Sequence, residues 1–291
     1  MLITPTLLFR VNFIKRLGVW LALALSVFYN TGCTSLSSLL FYPQTQYLHQ
    51  PAQFGLEAEY INIKTADQQT LASWFVKSQI AAKGTILFLH GNGENISTHI
   101  NSVAWLPQHG YEVFLLDYRG YGKSTGSSTL PSALSDIEDA HRWLSNRGTT
   151  LPLFVFGQSL GGALAITYTA NYNPKLLKID GLISESAPAS WPQIAREAMR
   201  THWLTWLLQL PASLMPGEYD AEDHIAKISS IPILLMHSKQ DSVVGYQHSQ
   251  QLLEVSSDNT QWLETQGGHI AGLRHSNAKN SLLTFLTSSI N

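Results

Sequence analysis

The sequence has little of the material from which several classes of site are built. Its only cysteine is Cys33, so neither an intramolecular disulfide nor a four-cysteine zinc site can form. The 11 histidines include no His-Glu-x-x-His run or similar close cluster, which argues against a metal site. Charged residues make up 13% of the chain, about half the typical share of roughly 25%. The formal net charge of -2 gives no footprint for binding nucleic acid.

What is present fits one folded domain. Hydrophobic residues make up 44% of the 291 residues, enough for a sizeable core. This length is large for one small domain and short for two full ones, which favours a single α/β domain with an insertion. We expect that domain to span residues 56–291.

The first 33 residues are typical of a targeting segment. Arg10, Lys15 and Arg16 precede the apolar run 17–28, which has the length of a signal-peptide core and is short for a bilayer span. The sequence NTGC follows and ends at Cys33. It resembles a bacterial lipoprotein box, with asparagine where leucine is usual. That resemblance implies lipid attachment at Cys33; the alternatives are an uncleaved membrane anchor or a buried structural cysteine.

Two of these interpretations, the lipoprotein and the uncleaved membrane anchor, predict that the protein is exported. The expected location is therefore the bacterial cell envelope, with the folded part of the chain anchored to a membrane by lipid or by the apolar segment. By resemblance to bacterial sorting rules, Thr34 after the cysteine favours the outer membrane. Residues 34–55, with scattered Ser, Gln and Pro, are predicted to be a tether.

From residue 59 onward, strand-like and helix-like segments alternate. The expected strands are 59–64, 70–77, 84–89, 111–116, 151–156, 180–184, 231–236 and 260–263. The expected helices are 97–108, 132–146, 160–171, 246–255 and 272–287. Several strands are continuously apolar, as in a parallel sheet that is buried on both faces. The pattern predicts an α/β fold: a mostly parallel central sheet, led by an antiparallel pair, with helices on both faces.

Residues 185–225 break this alternation. The stretch contains four prolines and two amphipathic helix candidates rich in tryptophan and leucine. An insertion between two central strands is where a small helical cap over a site would lie. Its large apolar side chains would suit an apolar ligand, or they simply pack the cap onto the sheet: Trp191, Trp203, Leu204, Trp206, Leu207, Leu208 and Leu210.

The strongest chemical motif is GQSLGG at residues 157–162, which contains Gly-x-Ser-x-Gly. The apolar run LPLFVF precedes it and a small-residue helical segment follows, which is the strand, turn and helix that this motif requires. In such a turn the serine projects above the sheet edge, while glycines allow close backbone approach. Ser159 is therefore the predicted nucleophile.

An earlier glycine-rich loop, HGNG at residues 90–93, follows the strand ILFL. In enzymes with a Gly-x-Ser-x-Gly turn, the loop after an early strand donates a backbone N–H to the oxyanion that develops during the reaction. We assign the backbone N–H groups of Asn92 and Leu160 as the two donors. His90 precedes the nucleophile and is expected to shape the loop rather than act as the base.

A serine nucleophile needs a base, and the base needs an acid to fix its tautomer. Asp241 and His269 each follow a late strand, so both are expected at the sheet edge where Ser159 lies. Asp220 and Asp223 precede a strand and should face elsewhere. His275 is expected inside the last helix.

Taken together, these segments resemble the α/β-hydrolase superfamily. The nearest branch is the exported or membrane-associated set that includes the depalmitoylase-like proteins of mammals and bacterial lipoprotein hydrolases. The resemblance covers roughly residues 55–290 and rests on FLHGNGENIS (88–97), LLDYRGYGKSTG (115–126), GQSLGG, HSKQDSVV (237–244) and GGHI (267–270). It implies a serine hydrolase acting on a carboxylic ester or thioester through an acyl-enzyme, with no cofactor.

One further interpretation of the motifs is rejected, and two alternative functions remain open. Gly122, Lys123 and Ser124 suggest a phosphate loop, but position 117 is aspartate where that motif needs glycine. Related sequences include aminopeptidases, so a serine peptidase is one alternative, with Glu185, Glu197 or Glu218 as candidate partners for a peptide amine. A non-catalytic envelope lipoprotein that uses the fold for binding is another.

Overall fold

The computed structural model of the protein describes residues 37–200, 215 and 217–290. The targeting segment, with Cys33, lies outside these residues. So do Trp203, Leu204, Trp206, Leu207, Leu208 and Leu210 of the predicted cap. Among the described residues, no helix has both the length and the apolar composition needed to cross a membrane.

The described residues form ten strands and seven α-helices. The strands are β1 (Tyr42–Pro43), β2 (Ala58–Lys64), β3 (Thr70–Val76), β4 (Gly84–Leu89), β5 (Gly93–Glu94), β6 (Tyr111–Leu116), β7 (Leu153–Gln158), β8 (Ile179–Glu185), β9 (Ile233–Ser238) and β10 (Thr260–Thr265). The helices are α1 (Ile96–Val103), α2 (Leu130–Asn146), α3 (Leu160–Asn171), α4 (Trp191–Arg200), α5 (Ala221–Ile225), α6 (Gln247–Val255) and α7 (Ser276–Ser288).

Eight strands form the main sheet in the order β10-β9-β8-β7-β4-β6-β3-β2. Strand β3 runs antiparallel to both of its neighbours, so the predicted antiparallel pair leads a parallel sheet. Strands β4 and β7 are buried along their whole length, which matches their continuously apolar sequences. The order of strands along the chain reverses at β4, and ligands of such sheets bind beyond the carboxyl ends of the strands at this point.

Helices cover both faces of the sheet, which confirms the predicted fold class. One apolar layer joins the inner faces of α2, α3 and α6 to the sheet, and its buried members include Leu130, Ile137, Leu144, Leu164 and Leu252. The other layer packs α1 and α7 against the opposite face through Ile96, Ile100, Leu282 and Phe285.

The predicted boundaries hold for most elements, and the differences have local causes. Strand β7 begins at Leu153 rather than 151 because Pro152 has no N–H to donate to a ladder. The helix predicted over 97–108 ends at Val103, and a separate 3-10 turn, Leu106–His109, carries Pro107 in its first turn. His275 is not inside the last helix. It has extended backbone angles and lies directly before α7, after the 3-10 turn Gly272–Arg274.

The described part of the cap lies between β8 and β9 and consists of α4, the 3-10 turn Gly217–Tyr219 and α5. Trp191 at the start of α4 is buried, and its indole N–H donates to the Tyr219 carbonyl oxygen at 2.8 Å. The Trp191 backbone N–H donates to Asp220 Oδ1 at 2.8 Å. Trp191 therefore packs the base of the cap onto the domain.

The segment predicted as a tether, residues 34–55, is described from residue 37. It contains the 3-10 turns Ser38–Leu40 and Pro51–Phe54 and the short strand β1. Phe41 is buried in the first apolar layer, and β1 pairs in parallel with β5. The described part of this segment thus lies against the domain.

Candidate active site

Ser159 lies in the turn between β7 and α3, in a strained backbone conformation. Its φ of 56° and ψ of -122° fall in a region that residues other than glycine seldom adopt. The glycines around it allow this turn. A β-carbon at Gly157 would lie 2.0 Å from the Gly161 carbonyl oxygen, and one at Gly161 would lie 2.1 Å from the Leu89 carbonyl oxygen. The start of α3 therefore packs directly on the end of β4.

The structure brings the three predicted side chains of the site together. His269 Nε2 lies 2.8 Å from Ser159 Oγ, and His269 Nδ1 lies 2.8 Å from Asp241 Oδ2. Because an ionised carboxylate only accepts hydrogen bonds, the ring proton belongs on Nδ1. Nε2 then accepts from the serine hydroxyl. This is the arrangement in which a histidine can remove the serine proton.

The loop that carries the histidine is also strained. Ile270, directly after His269, has a φ of 49°, which is a true outlier for a β-branched residue. Such strain persists only where the surrounding structure fixes the backbone, and it is concentrated at functional sites.

Asp241 is held by more groups than His269 alone. Its Oδ1 accepts the backbone N–H groups of Val243 and Val244 at 2.9 and 3.0 Å. Burial acts to raise the pKa of Asp241, but the hydrogen bonds from His237, His269 and the backbone outweigh it. The pKa of Asp241 therefore lies well below its usual range, and the carboxylate stays ionised at neutral pH.

His237 is a second histidine on Asp241 that the motif analysis did not single out. Its Nε2 lies 2.9 Å from the Val244 carbonyl oxygen and 3.3 Å from Asp241 Oδ2, so Nε2 carries the proton. Its Nδ1 accepts from the Ser249 hydroxyl. The ring is completely buried, and it supports Asp241 alongside His269.

The glycine-rich loop after β4 lies against the serine. A β-carbon at Gly91 would lie 3.4 Å from Ser159 Cβ. His90 Nδ1 donates to the Gly91 carbonyl oxygen at 2.7 Å. Burial, and then the neighbouring His99, lower the pKa of His90 to about 3, so the ring is neutral. His90 thus holds the loop that carries Asn92.

Glu185 is a buried carboxyl group behind the site that the sequence analysis considered only as a partner for a peptide amine. Its Oε2 accepts from Gln158 Nε2 at 2.6 Å, and its Oε1 accepts from the Gly272 backbone N–H at 2.9 Å. Its own carbonyl oxygen accepts the Ser159 backbone N–H at 2.8 Å. Glu185 therefore links the turn of Ser159 to the loop of His269.

Two of the other acids considered from the sequence make contacts elsewhere. Glu197, on α4, is bonded to His248 Nε2 at 3.0 Å. Asp220 holds the start of α4 through the Trp191 backbone N–H. Over residues 37–200, 215 and 217–290, no three His, Cys, Asp or Glu side chains are grouped so that they could hold a metal ion.

Comparison with known proteins agrees with this architecture. Residues 80–222 match the family described as Serine aminopeptidase, S33. The esterase Pf2001 of Pyrococcus furiosus superposes with a TM-score of 0.71 at 20% identity, covering 87% of this chain and 98% of that chain. The protein YfhR of Escherichia coli K12 is 32% identical over 246 residues, which cover 80% of this chain and 82% of YfhR.

These similarities, with the fold, show that the chain belongs to the α/β-hydrolase superfamily, and that it is a hydrolase of this type. A more distant relative is the lysophosphatidylserine lipase ABHD12 of Danio rerio. It is 28% identical over 200 residues, which cover 65% of this chain and 51% of that protein.

The raised pKa of buried Glu185 can be tested through the pH dependence of protein stability. Burial raises the pKa of Glu185 above its ordinary value of 4.5, although the bonds from Gln158 and Gly272 oppose the shift. The native state then binds the proton more tightly than the unfolded chain, so the free energy of unfolding falls as pH rises from about 4.5 through the raised pKa. Glu185→Gln removes this titration and keeps an acceptor for Gly272. Urea denaturation should show the variant gaining stability relative to wild type as pH rises.

Glu197→Gln is the matched control. Burial acts to raise the pKa of Glu197, but hydrogen bonds from Gln193 and His248 outweigh it, so the pKa lies below its ordinary value. Its difference from wild type should therefore have the opposite sign, with stability lost at the higher pH. If the difference in stability between Glu185→Gln and wild type does not change with pH, the pKa of Glu185 is not raised in the folded protein.

Proposed function

We propose that this protein is a serine hydrolase that cleaves a carboxylic ester or thioester through an acyl-enzyme on Ser159. The observation that carries the proposal is the unbroken chain of hydrogen bonds from Ser159 Oγ through His269 to Asp241, each 2.8 Å long. The positive φ of Ser159 and the closeness of the Gly91 loop support the same role.

In the proposed reaction, Ser159 Oγ attacks the acyl carbonyl carbon while its proton passes to His269 Nε2. The carbonyl oxygen gains the negative charge, and the backbone N–H groups of Asn92 and Leu160 donate to it. Collapse of this intermediate breaks the bond to the alcohol or thiol, which leaves with the proton from His269. Water then attacks the acyl-enzyme in the same way, releasing the carboxylic acid and restoring the serine.

Asp241 would stabilise the His269 imidazolium that forms in both steps. Its low pKa keeps it charged, and the proton on His269 Nδ1 stays between the two groups. His237 would hold Asp241 in place.

An aminopeptidase is the second candidate, because the matching family is described as Serine aminopeptidase, S33. Such an enzyme needs a group that captures the substrate amine. Glu185 is buried and bonded to Gln158 and Gly272, and Glu197 is bonded to His248. Two of the three candidate acids are thus engaged in contacts within the protein, and the third, Glu218, is exposed on the turn Gly217–Tyr219. On this balance we favour ester or thioester cleavage. Parallel assays with acyl esters and aminoacyl amides distinguish the two activities.

We also propose that the enzyme acts at a membrane of the bacterial envelope, to which Cys33 attaches it. The support is the sequence before and around Cys33. A non-catalytic envelope lipoprotein with the same fold is the remaining alternative, and labelling of the serine by a reactive probe separates it from an enzyme.

Ser159→Ala should abolish both ester turnover and labelling by a fluorophosphonate probe, because the probe reacts with an activated serine. Loss of a triad serine typically lowers kcat by a factor of about 10⁴ or more. The measurement is in-gel fluorescence with a circular dichroism control for folding. Labelling of Ser159→Ala to the wild-type level would mean that the nucleophile lies elsewhere, and no labelling of the wild type would favour the non-catalytic alternative.

Asp241→Asn should lower kcat strongly, by a factor of up to about 10⁴, with little change in KM, because the change affects the His269 tautomer. Asp220→Asn is the matched control, since Asp220 is also buried and holds the cap helix α4 through Trp191. Steady-state kinetics with one ester give both constants. A larger loss of kcat in a folded Asp220→Asn protein than in Asp241→Asn would show that the wrong acid has been assigned.

The acyl group of the substrate is proposed to be apolar, on the composition of the 185–225 insertion. Values of kcat/KM for p-nitrophenyl esters should rise from acetyl to butyryl and longer chains. Each buried CH₂ contributes on the order of 0.8 kcal/mol, so kcat/KM should at first rise by a factor of about 4 per added carbon, or about 15 per pair. A protein without residues 1–33 keeps the assay in solution. Highest activity on acetyl would count against an apolar acyl pocket.

Cys33→Ala should prevent lipid attachment. Two or more acyl chains anchor a protein firmly, whereas a single chain gives only marginal binding. The measurement is metabolic labelling with an alkyne fatty acid in a bacterial host, followed by membrane fractionation. Label in wild type alone is the expected result. Equal label in both proteins would exclude Cys33 as the attachment site, and no label in either would indicate an anchor without lipid.

A further inference from the structure

We propose that residues 42–48, which the sequence places in a tether, are a positioning element of the active site. They hold the loop that carries Asn92 in the geometry needed for oxyanion binding. This inference rests on the proposed function, because it assigns a purpose to a loop whose role is defined there. Three sets of contacts carry it.

The first contact reaches Asn92 itself. Strand β1 pairs in parallel with β5, with Tyr42 opposite Gly93. The Tyr42 backbone N–H lies 2.9 Å from Asn92 Oδ1 and 3.1 Å from the Tyr121 hydroxyl oxygen. The Tyr121 hydroxyl in turn donates to the Asn92 carbonyl oxygen at 2.7 Å. The side chain and the carbonyl group of Asn92 are therefore both held from outside the loop.

The second contact fixes the end of the loop. Asn95 Nδ2 donates to the carbonyl oxygens of Gln44 at 2.9 Å and Gln46 at 2.8 Å. Both donors of this buried amide are directed at the N-terminal segment, while Asn95 Oδ1 caps α1 through the Ser97 N–H at 3.0 Å. The Leu48 backbone N–H donates to Ser97 Oγ at 2.9 Å. Asn95 thus joins the segment, the loop and the start of α1.

The third contact reaches the buried side chain of Asp117. The Tyr47 hydroxyl donates to Asp117 Oδ2 at 2.6 Å, and the Ile96 backbone N–H donates to Asp117 Oδ1 at 2.9 Å. A β-carbon at Gly122 would lie 1.9 Å from Asp117 Oδ2, so no larger residue fits at this position without displacing the carboxyl group. The Gly122 backbone N–H donates to the Gln44 carbonyl oxygen at 2.9 Å. The segment is therefore fixed to the end of β6 and to the loop at the same time.

The loop needs this external support because its own sequence allows many backbone conformations. Gly91 and Gly93 flank Asn92, and glycine has more conformational freedom to lose than any other residue. Glu94 has a φ of 65°, which adds strain. An oxyanion donor lowers the barrier only if it is already in place when charge develops. His90 fixes the inner side of the loop, and residues 42–48 fix its outer side.

The contact at Tyr42 is made by the backbone, since its side chain is 66% exposed. This allows a matched pair of variants in the full chain. Tyr42→Pro deletes the N–H, and Tyr42→Ala keeps it. Phe41 already has extended backbone angles, φ -113° and ψ 127°, which are those that a residue before proline adopts. The two variants differ in one hydrogen-bond donor and in the fixed φ that proline imposes at position 42, which is why a second variant without proline is needed.

We expect kcat for an ester to be about 10- to 100-fold lower for Tyr42→Pro than for Tyr42→Ala, with KM similar, because a misplaced donor costs less than a deleted one. The affinity for an alkyl trifluoromethyl ketone, which forms a tetrahedral oxyanion on a reactive serine, should fall by the same factor. If residues 42–48 only stabilised the fold, Tyr42→Pro would lower the melting temperature. It would not lower kcat and ketone affinity by the same factor while KM stayed constant.

Asn92→Ala is the second variant, since it removes the acceptor of the same hydrogen bond without a proline. It should lower kcat and ketone affinity in the same way, and the double variant should lose no more than the larger single loss. Equal kcat for Tyr42→Pro and Tyr42→Ala, an unchanged kcat for Asn92→Ala, or fully additive losses would overturn the inference. A wild-type protein with no esterase activity and no ketone binding would instead overturn the proposed function, and the inference with it.

Discussion

Ser159 can project above the sheet only because two backbones approach more closely than side chains would allow. Gly157 and Gly161 make this possible, since a β-carbon at either position would overlap a carbonyl oxygen. The contact between Gly161 and Leu89 sets the first turn of α3 on the end of β4, where the Asn92 loop begins. The position of the nucleophile relative to that loop therefore depends on this turn. The positive φ of Ser159 is the local strain that accompanies the placement.

Around this turn, buried polar groups join the loops that carry the reacting side chains. Glu185 links the Ser159 turn to the His269 loop, and His237 supports Asp241. Both carboxyl oxygens of Glu185 are hydrogen-bonded, and buried polar groups that are hydrogen-bonded favour one arrangement. The side chains of the site are therefore held by hydrogen bonds at one edge of the sheet, as preorganised catalysis of the proposed kind requires.

The sequence predicted the sheet, the helices on both faces and the residues that meet at the site, because each follows from a local pattern. Apolar runs mark β4 and β7, and Gly-x-Ser-x-Gly marks the turn at Ser159. It did not predict the support from residues 42–48 or the roles of Glu185 and His237. Backbone hydrogen bonds such as that of Tyr42 leave no trace in side-chain pattern, and a lone buried acid has no characteristic spacing. His275 was placed wrongly because nothing in its neighbours marks the 3-10 turn before α7.

The central claim is that a covalent acyl-enzyme forms on Ser159, and the most direct measurement is the mass of that intermediate. The protein is mixed with p-nitrophenyl octanoate, quenched in acid within the first turnover, digested and analysed by mass spectrometry. The account predicts that the peptide containing Ser159 carries one octanoyl group in place of a hydrogen, and that the group disappears as turnover proceeds. Turnover without an adduct on Ser159, or with the adduct on another residue, would contradict it.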